Sequence, residues 1–409
     1  MTRAITSQYF EALIELCDFA IANSRFYQRT IKLLKTQDDF HSLPILTGDD
    51  IRHHVDPRGH GDLLTGPVNG SLLVSSSATT GVPKYVFREY KEQHRISQRL
   101  AEALTLAGMT HNDRIANMFP PGNLLGAWHG VQEAIERIGA TALAIGCSIS
   151  PDLQNRYIHC LQPTGFVGLP TNLLQLMEMG IPPFQKVLCG GEGMNGNVRS
   201  HLEKVLSGPI SLVYGSIECG IIGVQCHALR GSSQYHLFQE DMLIEVLDPA
   251  TGVPATEGEI IVTHLHRRLQ PLIRYRLGDL GQWHDSPCPC GREGRRIELK
   301  GRISDTMTIV NGLNIRFDSI ENALTELSEF SGRVQLRVRK IECKDVLTII
   351  VEAENLTAQV VTQAVLGKVP ELQSQHQRGL IVTTIVPRGG IAIEDYKTLH
   401  IVDERVKTQ

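Results

Sequence analysis

Between Arg114 and Tyr214 the chain alternates short apolar runs with helical patterns, and this cadence constrains the fold more than any other feature. The apolar runs cover 115–119, 140–145, 165–168, 187–189 and 210–214, with helical patterns such as 128–138 and 195–206 between them. Strand, helix and strand in this order return the chain to the same edge, which builds a parallel sheet with crossover helices. Upstream, Phe10, Leu13, Ile14, Leu16, Cys17 and Ile21 recur at helical intervals. They predict an amphipathic helix over 7–22 capped by Ser7, and 93–106 carries a second one.

From Met242 the texture changes to alternating strands over 243–247 and 259–263, joined by a turn containing Asp248, Pro249 and Gly252. That is hairpin chemistry. Near the end, 334–340 and 346–354 alternate as a second hairpin, 357–369 reads as a helix and 380–386 as a strand. One strand pattern ends near Gly301 and another begins near Met307. The expected fold is therefore α/β: a large N-terminal domain (1–303) with parallel-sheet layers plus a smaller β region, then a small α+β domain (304–409).

Composition narrows the function. The 40 Lys+Arg and 44 Asp+Glu leave a net charge of −4, too balanced for a nucleic-acid partner. No run of ~18 apolar residues is present, so no membrane partner is expected. The N-terminus lacks the order of an export signal, and the expected location is cytoplasmic. Nine cysteines in such a chain fit reduced thiols or metal ligands better than a disulfide framework. Cys288 and Cys290 flank a proline and precede Gly291, with Cys226 and either His236 or His227 upstream. These residue types suit a closed tetrahedral zinc site of three cysteines and a histidine, structural rather than catalytic.

A second constellation is the polar loop after Leu72, Leu73 and Val74, where Ser75, Ser76, Ser77, Thr79 and Thr80 stand beside Gly81 and Lys84. Hydroxyl and backbone N–H donors with a lysine suit phosphate oxygens, although the spacing is not that of a Walker loop.

This loop resembles the phosphate loop of the adenylate-forming superfamily of acyl- and aryl-CoA synthetases, and further segments resemble its other signatures in the right order. Gly190, Gly191 and Glu192 look like the adenine-side loop. Tyr214, Gly215, Ser216, Ile217 and Glu218 resemble the segment whose ring packs on adenine, whose hydroxyl meets the α-phosphate and whose Glu holds Mg²⁺. The stretch from Arg274 to Asp279 resembles the segment in which the Asp binds the ribose. Arg302 and the residues to Ile315 resemble the hinge, with Arg302 on the nucleotide and a mobile C-terminal domain after it. Lys397 stands where the family carries its adenylation lysine. Within the superfamily, Ser24 to Tyr27, Leu43, Pro44, Asp49, Asp50, Ile51 and the 288–292 run are similar to the phenylacetate–CoA ligase branch, some of whose members bind zinc.

The resemblance implies an AMP-forming carboxylate ligase. ATP with Mg²⁺ activates an aryl or related organic acid to an acyl-adenylate, and a thiol, by default that of coenzyme A, takes the acyl group. Glu218 and Lys397 are the expected catalytic residues. Ser76, Ser77, Thr79, Thr80, Gly81, Lys84, Gly191, Glu192, Tyr214, Gly215, Ser216, Asp279 and Arg302 are expected on the nucleotide. The glycine-rich turn before Trp128 and His129 corresponds to one that borders the acyl pocket. Three positions depart from the branch: Ala78 in the phosphate loop, Ser304 at the hinge and Tyr396 before Lys397. They keep open an enzyme that passes its adenylate to a carrier protein or an amine, a cofactor adenylyltransferase of the deazaflavin type, and a nucleotide-binding protein without turnover. A homodimer also stays open.

Overall fold

The computed structural model describes residues 6–404 except 77–82, 195, 207, 250, 303–306, 311–312, 328–329, 331–332, 342–343, 388 and 392–399. The chain divides into two compact units, 1–194 with 199–300, and 195–198 with 301–409.

In the larger unit the first helix, Ser7–Asn23, buries Leu13, Leu16, Cys17 and Ala20 on one face. Its cap is Thr6 rather than Ser7, because the Thr6 hydroxyl accepts from the Tyr9 N–H. Strands β1 (Ser71–Ser75) and β2 (Tyr85–Glu89) form a separate antiparallel hairpin. The predicted cadence then appears as β3 (Arg114–Asn117), β4 (Thr141–Leu143), β5 (Gly165–Gly168), β6 (Lys186–Cys189) and β7 (Ile210–Ser216). The pairs β3–β4, β3–β5, β5–β6 and β6–β7 are all parallel. Crossover helices include Ala127–Arg137, Pro151–Leu161, Pro170–Glu178 and Gly196–Leu206.

Beyond β7 the direction reverses. β8 (Gly220–Val224) pairs antiparallel with β7 and with β9 (Gln234–Leu237). β10 (Met242–Leu247), β11 (Glu257–His264), β12 (Tyr275–His284) and β13 (Arg296–Arg302) complete one mixed sheet in the order β10-β11-β12-β13-β9-β8-β7-β6-β5-β3-β4. The β region is thus continuous with the parallel part. Its hairpin β10–β11 has the expected pairing, Met242 opposite His264 through Leu247 opposite Glu259.

The N-terminal segment is built into this sheet. The buried Tyr27 hydroxyl donates to the Pro271 carbonyl at 2.9 Å and accepts from the Ile273 N–H at 3.4 Å. Leu46 pairs with Tyr275 as a parallel bridge. Thr47 and Asp50 form a reciprocal capping box on the helix Gly48–His54, whose Ile51 is fully buried. Between these anchors Arg274 has φ 49°, in the left-handed region that side chains rarely adopt. Its guanidinium donates to both Glu245 carboxylate oxygens at 3.1 Å and to the carbonyls of His41 and Leu43 at 2.5 Å. The branch-like segments near residues 24–27 and 43–51 are therefore struts for the strand that carries Tyr275 and Asp279.

The smaller unit has a four-stranded sheet of β16 (Val334–Ile341), β17 (Lys344–Glu352), β18 (Ile381–Val386) and β19 (Ile401–Asp403), preceded by the hairpin of β14 (Met307–Val310) and β15 (Leu313–Arg316). Leu336 and Val338, and Leu347, Ile349 and Val351, alternate inward with period two. Ile320 and Leu324 on the helix Phe317–Thr325, and Val361 and Val365 on Ala358–Lys368, meet them at helical spacing.

Arg274→Met leaves Glu245, 8 % exposed, without its main partner. Breaking a buried pair in this way costs about 3–5 kcal/mol. Both tryptophans lie in the larger unit, so urea unfolding followed by their fluorescence reads this loss; a change under ~1 kcal/mol would remove Arg274 as a strut.

Candidate functional site

Two of the segments singled out in the sequence, 190–192 and 214–218, lie at the carboxyl ends of β6 and β7, where open parallel sheets bind ligands. After β6, the Gly190 N–H donates to the Gly168 carbonyl at 3.1 Å. A Cβ at Gly190 would lie 2.3 Å from Val213 Cγ2, so a larger residue there would force Val213 to move. The Glu192 carboxylate accepts from the Thr171 N–H at 3.1 Å and the Thr171 hydroxyl at 2.9 Å, in the first turn of the helix Pro170–Glu178. That position suits a negative charge.

The β7–β8 hairpin closes on the pair Ser216 and Gly220 and places Ile217, Glu218 and Cys219 at its tip. Gly220 turns the chain at φ 76°. The Ser216 hydroxyl accepts from the Cys219 N–H at 3.0 Å. Glu218 is only 4 % exposed, and its carboxylate forms an ion pair with Lys84 Nζ. The Tyr275 hydroxyl donates to Glu218 at 3.0 Å and accepts from Lys84 at 3.3 Å. Three distant segments thus meet at one charge pair, its carboxylate buried and its lysine half-buried. Burial alone would raise the Glu218 carboxyl; the Lys84 charge and the hydrogen bonds from Lys84, the Glu218 backbone and Tyr275 outweigh it and lower it to about 2. Beside this cluster the Tyr214 hydroxyl donates to the Asp279 carboxylate at 2.7 Å, linking β7 to β12. Both residues are buried.

The phosphate-loop segment connects β1 to β2 in the sequence. Its neck is closed by the Ser76 N–H donating to the Lys84 carbonyl at 3.0 Å and the Lys84 N–H donating to the Ser76 hydroxyl at 2.9 Å. The Ser75 N–H donates to the Leu124 carbonyl at 2.9 Å, which ties the hairpin to the turn after β3. Ser77, Ala78, Thr79, Thr80 and Gly81 lie outside the described residues, as do Ser304, Tyr396 and Lys397. Trp128 is half-buried at the start of the helix Ala127–Arg137, packed against a core cluster, and His129 is exposed. Arg302 is exposed at the end of β13, in the smaller unit. Tyr275 was not singled out as a site residue in the sequence; its place in the segment from Arg274 to Asp279 was its signal.

A second cluster lies at the antiparallel end of the sheet. The ligating atoms of Cys226, His236, Cys288 and Cys290 all fall within 4.8 Å of one another. Cys226 Sγ and Cys288 Sγ are 3.7 Å apart, and Cys290 Sγ is 3.3 Å from His236 Nε2. A tetrahedral zinc with ~2.3 Å bonds to sulfur and ~2.0 Å to nitrogen spaces its ligands ~3.3–3.8 Å apart, so the donor set fits that ion. Cys288 and Cys290 sit on a knuckle in which the Gly291 N–H donates to the Cys288 carbonyl and the Arg292 N–H to Cys290 Sγ at 3.4 Å. Of the two histidines left open, His236 joins the cluster, whereas His227 is exposed on a 3₁₀ turn.

A family profile described as AMP-binding enzyme matches residues 71–265. The chain is 26 % identical over 377 residues to the phenylacetate–coenzyme A ligase of Thermus thermophilus, covering 87 % of this chain and 83 % of the relative. It is 24 % identical over 327 residues to the Escherichia coli protein of that name, covering 77 % and 73 %. These matches make the chain similar to the adenylate-forming enzymes, and among them to the phenylacetate–CoA ligases. Its fold is similar to that of a solved 2-hydroxyisobutyryl-CoA ligase in the postadenylation state, with TM-score 0.77, 22 % identity and coverage of 97 % of this chain and 88 % of that one. Among the described residues no helix is long and apolar enough to cross a membrane.

The charge pair has a pH signature. A carboxyl depressed from 4.5 to about 2 contributes stability that is present above the unfolded-state value and lost as the pH falls through the folded one. Lys84→Met leaves the carboxyl buried without its cation, so the group then resists ionisation. Between about pH 5 and about pH 2 the parent's unfolding free energy should fall by ~3 kcal/mol more than that of the variant. Equal slopes in urea titrations across this range would show that the pair does not form in solution.

Proposed function

We propose that the chain is an AMP-forming ligase that activates a small carboxylic acid with ATP and passes the acyl group to a thiol, with coenzyme A as the acceptor. The observation that carries this reading is the meeting of Lys84, Glu218 and Tyr275, with Tyr214 and Asp279 beside them, at the carboxyl ends of the parallel strands. The substrate proposed is an aryl or comparable organic acid, in keeping with the names of the relatives. A carboxylate oxygen attacks the α-phosphorus in line, the bond to the bridging oxygen of pyrophosphate breaks, and acyl-AMP remains. The thiolate then attacks the acyl carbon and AMP leaves with the electron pair of the anhydride bond.

Each residue has a task in this scheme. Asp279 receives the ribose hydroxyls and Tyr214 flanks the base, their mutual hydrogen bond holding both in place. Gly191, Glu192, Gly215 and Ser216 would add to the same nucleotide surface, Ser76, Ser77, Thr79, Thr80 and Gly81 would form the phosphate loop, and Arg302 would bind the nucleotide. Glu218, an ionised acceptor-only carboxylate, would hold Mg²⁺, which supplies charge neutralisation on the phosphates. Lys84 balances that carboxylate in the free protein. Lys397 would stabilise the charge developing during adenylation, carried there by a mobile C-terminal domain (304–409). Trp128 and His129 border the acid. Zinc, held by Cys226, His236, Cys288 and Cys290, would be structural because four protein ligands leave no open position.

Carboxylate-dependent exchange of pyrophosphate into ATP, run over aryl and short aliphatic acids without CoA, tests the first half-reaction. Exchange with at least one acid is expected, followed by thioester once CoA is supplied. Lys397→Ala should lose about 10²-fold or more of the exchange rate while still binding ATP, and parental exchange in this variant would remove Lys397 from the mechanism. Exchange without thioester would redirect the acyl group to a carrier protein or amine, and silence with every acid would defeat the ligase reading.

Protein purified without chelator should carry about one zinc per chain, and Cys288→Ser should lose both the metal and thermal stability. Less than about half an equivalent in the parent would count against the site.

A further inference from the structure

Beneath the Glu218 hairpin lie two buried guanidiniums that the scheme above does not use. Arg88 and Arg267 are 4 % and 2 % exposed. Arg88 reaches from β2 and donates through Nη2 to the Ile217 carbonyl and through Nη1 to Gln93 Oε1 at 3.2 Å. Arg267, just after β11, donates through Nη1 to the Glu218 carbonyl and through Nη2 to the Phe87 carbonyl at 3.3 Å. Two consecutive carbonyls at the hairpin tip are thus gripped by two cations from different segments. The planar fork of arginine suits the task, since each guanidinium ties the tip and a second, separate group at once. The nearby anion, Glu92, is 3.8 Å from Arg267 and is engaged by the Arg268 N–H at 3.2 Å.

Water bonds carbonyls at a hairpin tip without difficulty, so two desolvated arginines exceed what satisfying them requires. What the arrangement adds is a fixed peptide orientation on both sides of the Glu218 Cα. We infer that Arg88 and Arg267 are positioning residues that aim the Glu218 carboxylate at the metal-bearing phosphates of ATP. The inference rests on reading Glu218 as the metal-side carboxylate, and it assigns the arginines no contact with substrate. Groups that orient a metal ligand typically contribute 10–100-fold in metal affinity, so the arginines should act on the metal dependence of nucleotide binding and leave the acid alone.

The test measures ATP affinity by calorimetry with and without Mg²⁺, no carboxylic acid being present, for the full-length parent, Arg88→Lys, Arg267→Lys, Glu218→Gln and the double variant Glu218→Gln/Arg267→Lys. Lysine keeps the charge but loses one arm of the fork, which limits the risk of unfolding; melting temperature is recorded for each protein. The expected result is that each arginine variant shrinks the gain in ATP affinity on adding Mg²⁺ by about ten-fold, with metal-free ATP affinity unchanged. In exchange assays the Mg²⁺ requirement should rise while KM for the acid holds. In the Glu218→Gln background, Arg267→Lys should add nothing further.

A folded arginine variant with the parental Mg²⁺ effect overturns the inference, and so does an Arg267→Lys effect that persists undiminished without the Glu218 carboxylate. If Glu218→Gln itself retains the parental Mg²⁺ effect, the metal-side reading fails and the inference falls with it. That outcome is separable, because it is read from the Glu218 variant alone.

Discussion

The charge on Glu218 organises the larger unit around it. An ionised carboxylate removed from water requires a cation and hydrogen-bond donors within reach, or it takes up a proton. Lys84 and Tyr275 meet this demand from positions 134 residues upstream and 57 residues downstream. Holding them there needs the β1–β2 hairpin at one side and the strut around Arg274 at the other. Tyr27, Leu46 and Glu245 all act on the strand that begins at Tyr275. Much of the N-terminal segment therefore serves one phenol.

The cysteine-histidine cluster is connected to the same framework by packing. Arg292, two residues past Cys290, forms an ion pair with Glu102 on the helix Tyr90–Leu106. Its guanidinium lies 5.5 Å from the Phe238 ring centroid, and that of Arg99, from the same helix, lies 5.4 Å from it. The knuckle is thereby clamped to a helix that also contributes Glu92 and Gln93 beneath the Glu218 hairpin. Cysteine-histidine cluster, helix and hairpin form a continuous set of contacts.

How much of this was legible in the sequence follows from the range of the interactions. The parallel strands announce themselves because each is a short apolar run between local helical patterns, and 165–168 coincides with β5. The helix Pro170–Glu178 does not stand out, since Pro170, Asn172, Leu173, Leu174, Leu176 and Met177 are all buried and the one-sided periodicity is blurred. β8 and β9 are short and find part of their pairing far along the chain, as when Arg296 lines up with His236. At the site, residue types were readable at Lys84, Glu218, Tyr214 and Asp279. That Lys84 would pair with Glu218, or Tyr214 with Asp279, is a property of the assembled sheet. The buried arginines were silent because Arg88 and Arg267 lie in no motif, and only the carbonyls they meet give them meaning.

The Tyr27 hydroxyl finds its partner N–H 246 residues later, at Ile273. At a synthesis rate of ~5–20 residues per second, about 10–50 s separate the emergence of the two from the ribosome. Throughout that interval the apolar face of the first helix, whose Leu13, Leu16, Cys17 and Ala20 are buried in the finished protein, waits for the rest of its unit. The nascent chain thus carries a sticky amphipathic helix in front of an unfinished sheet, a state that invites chaperone binding and makes the yield of folded protein sensitive to translation speed.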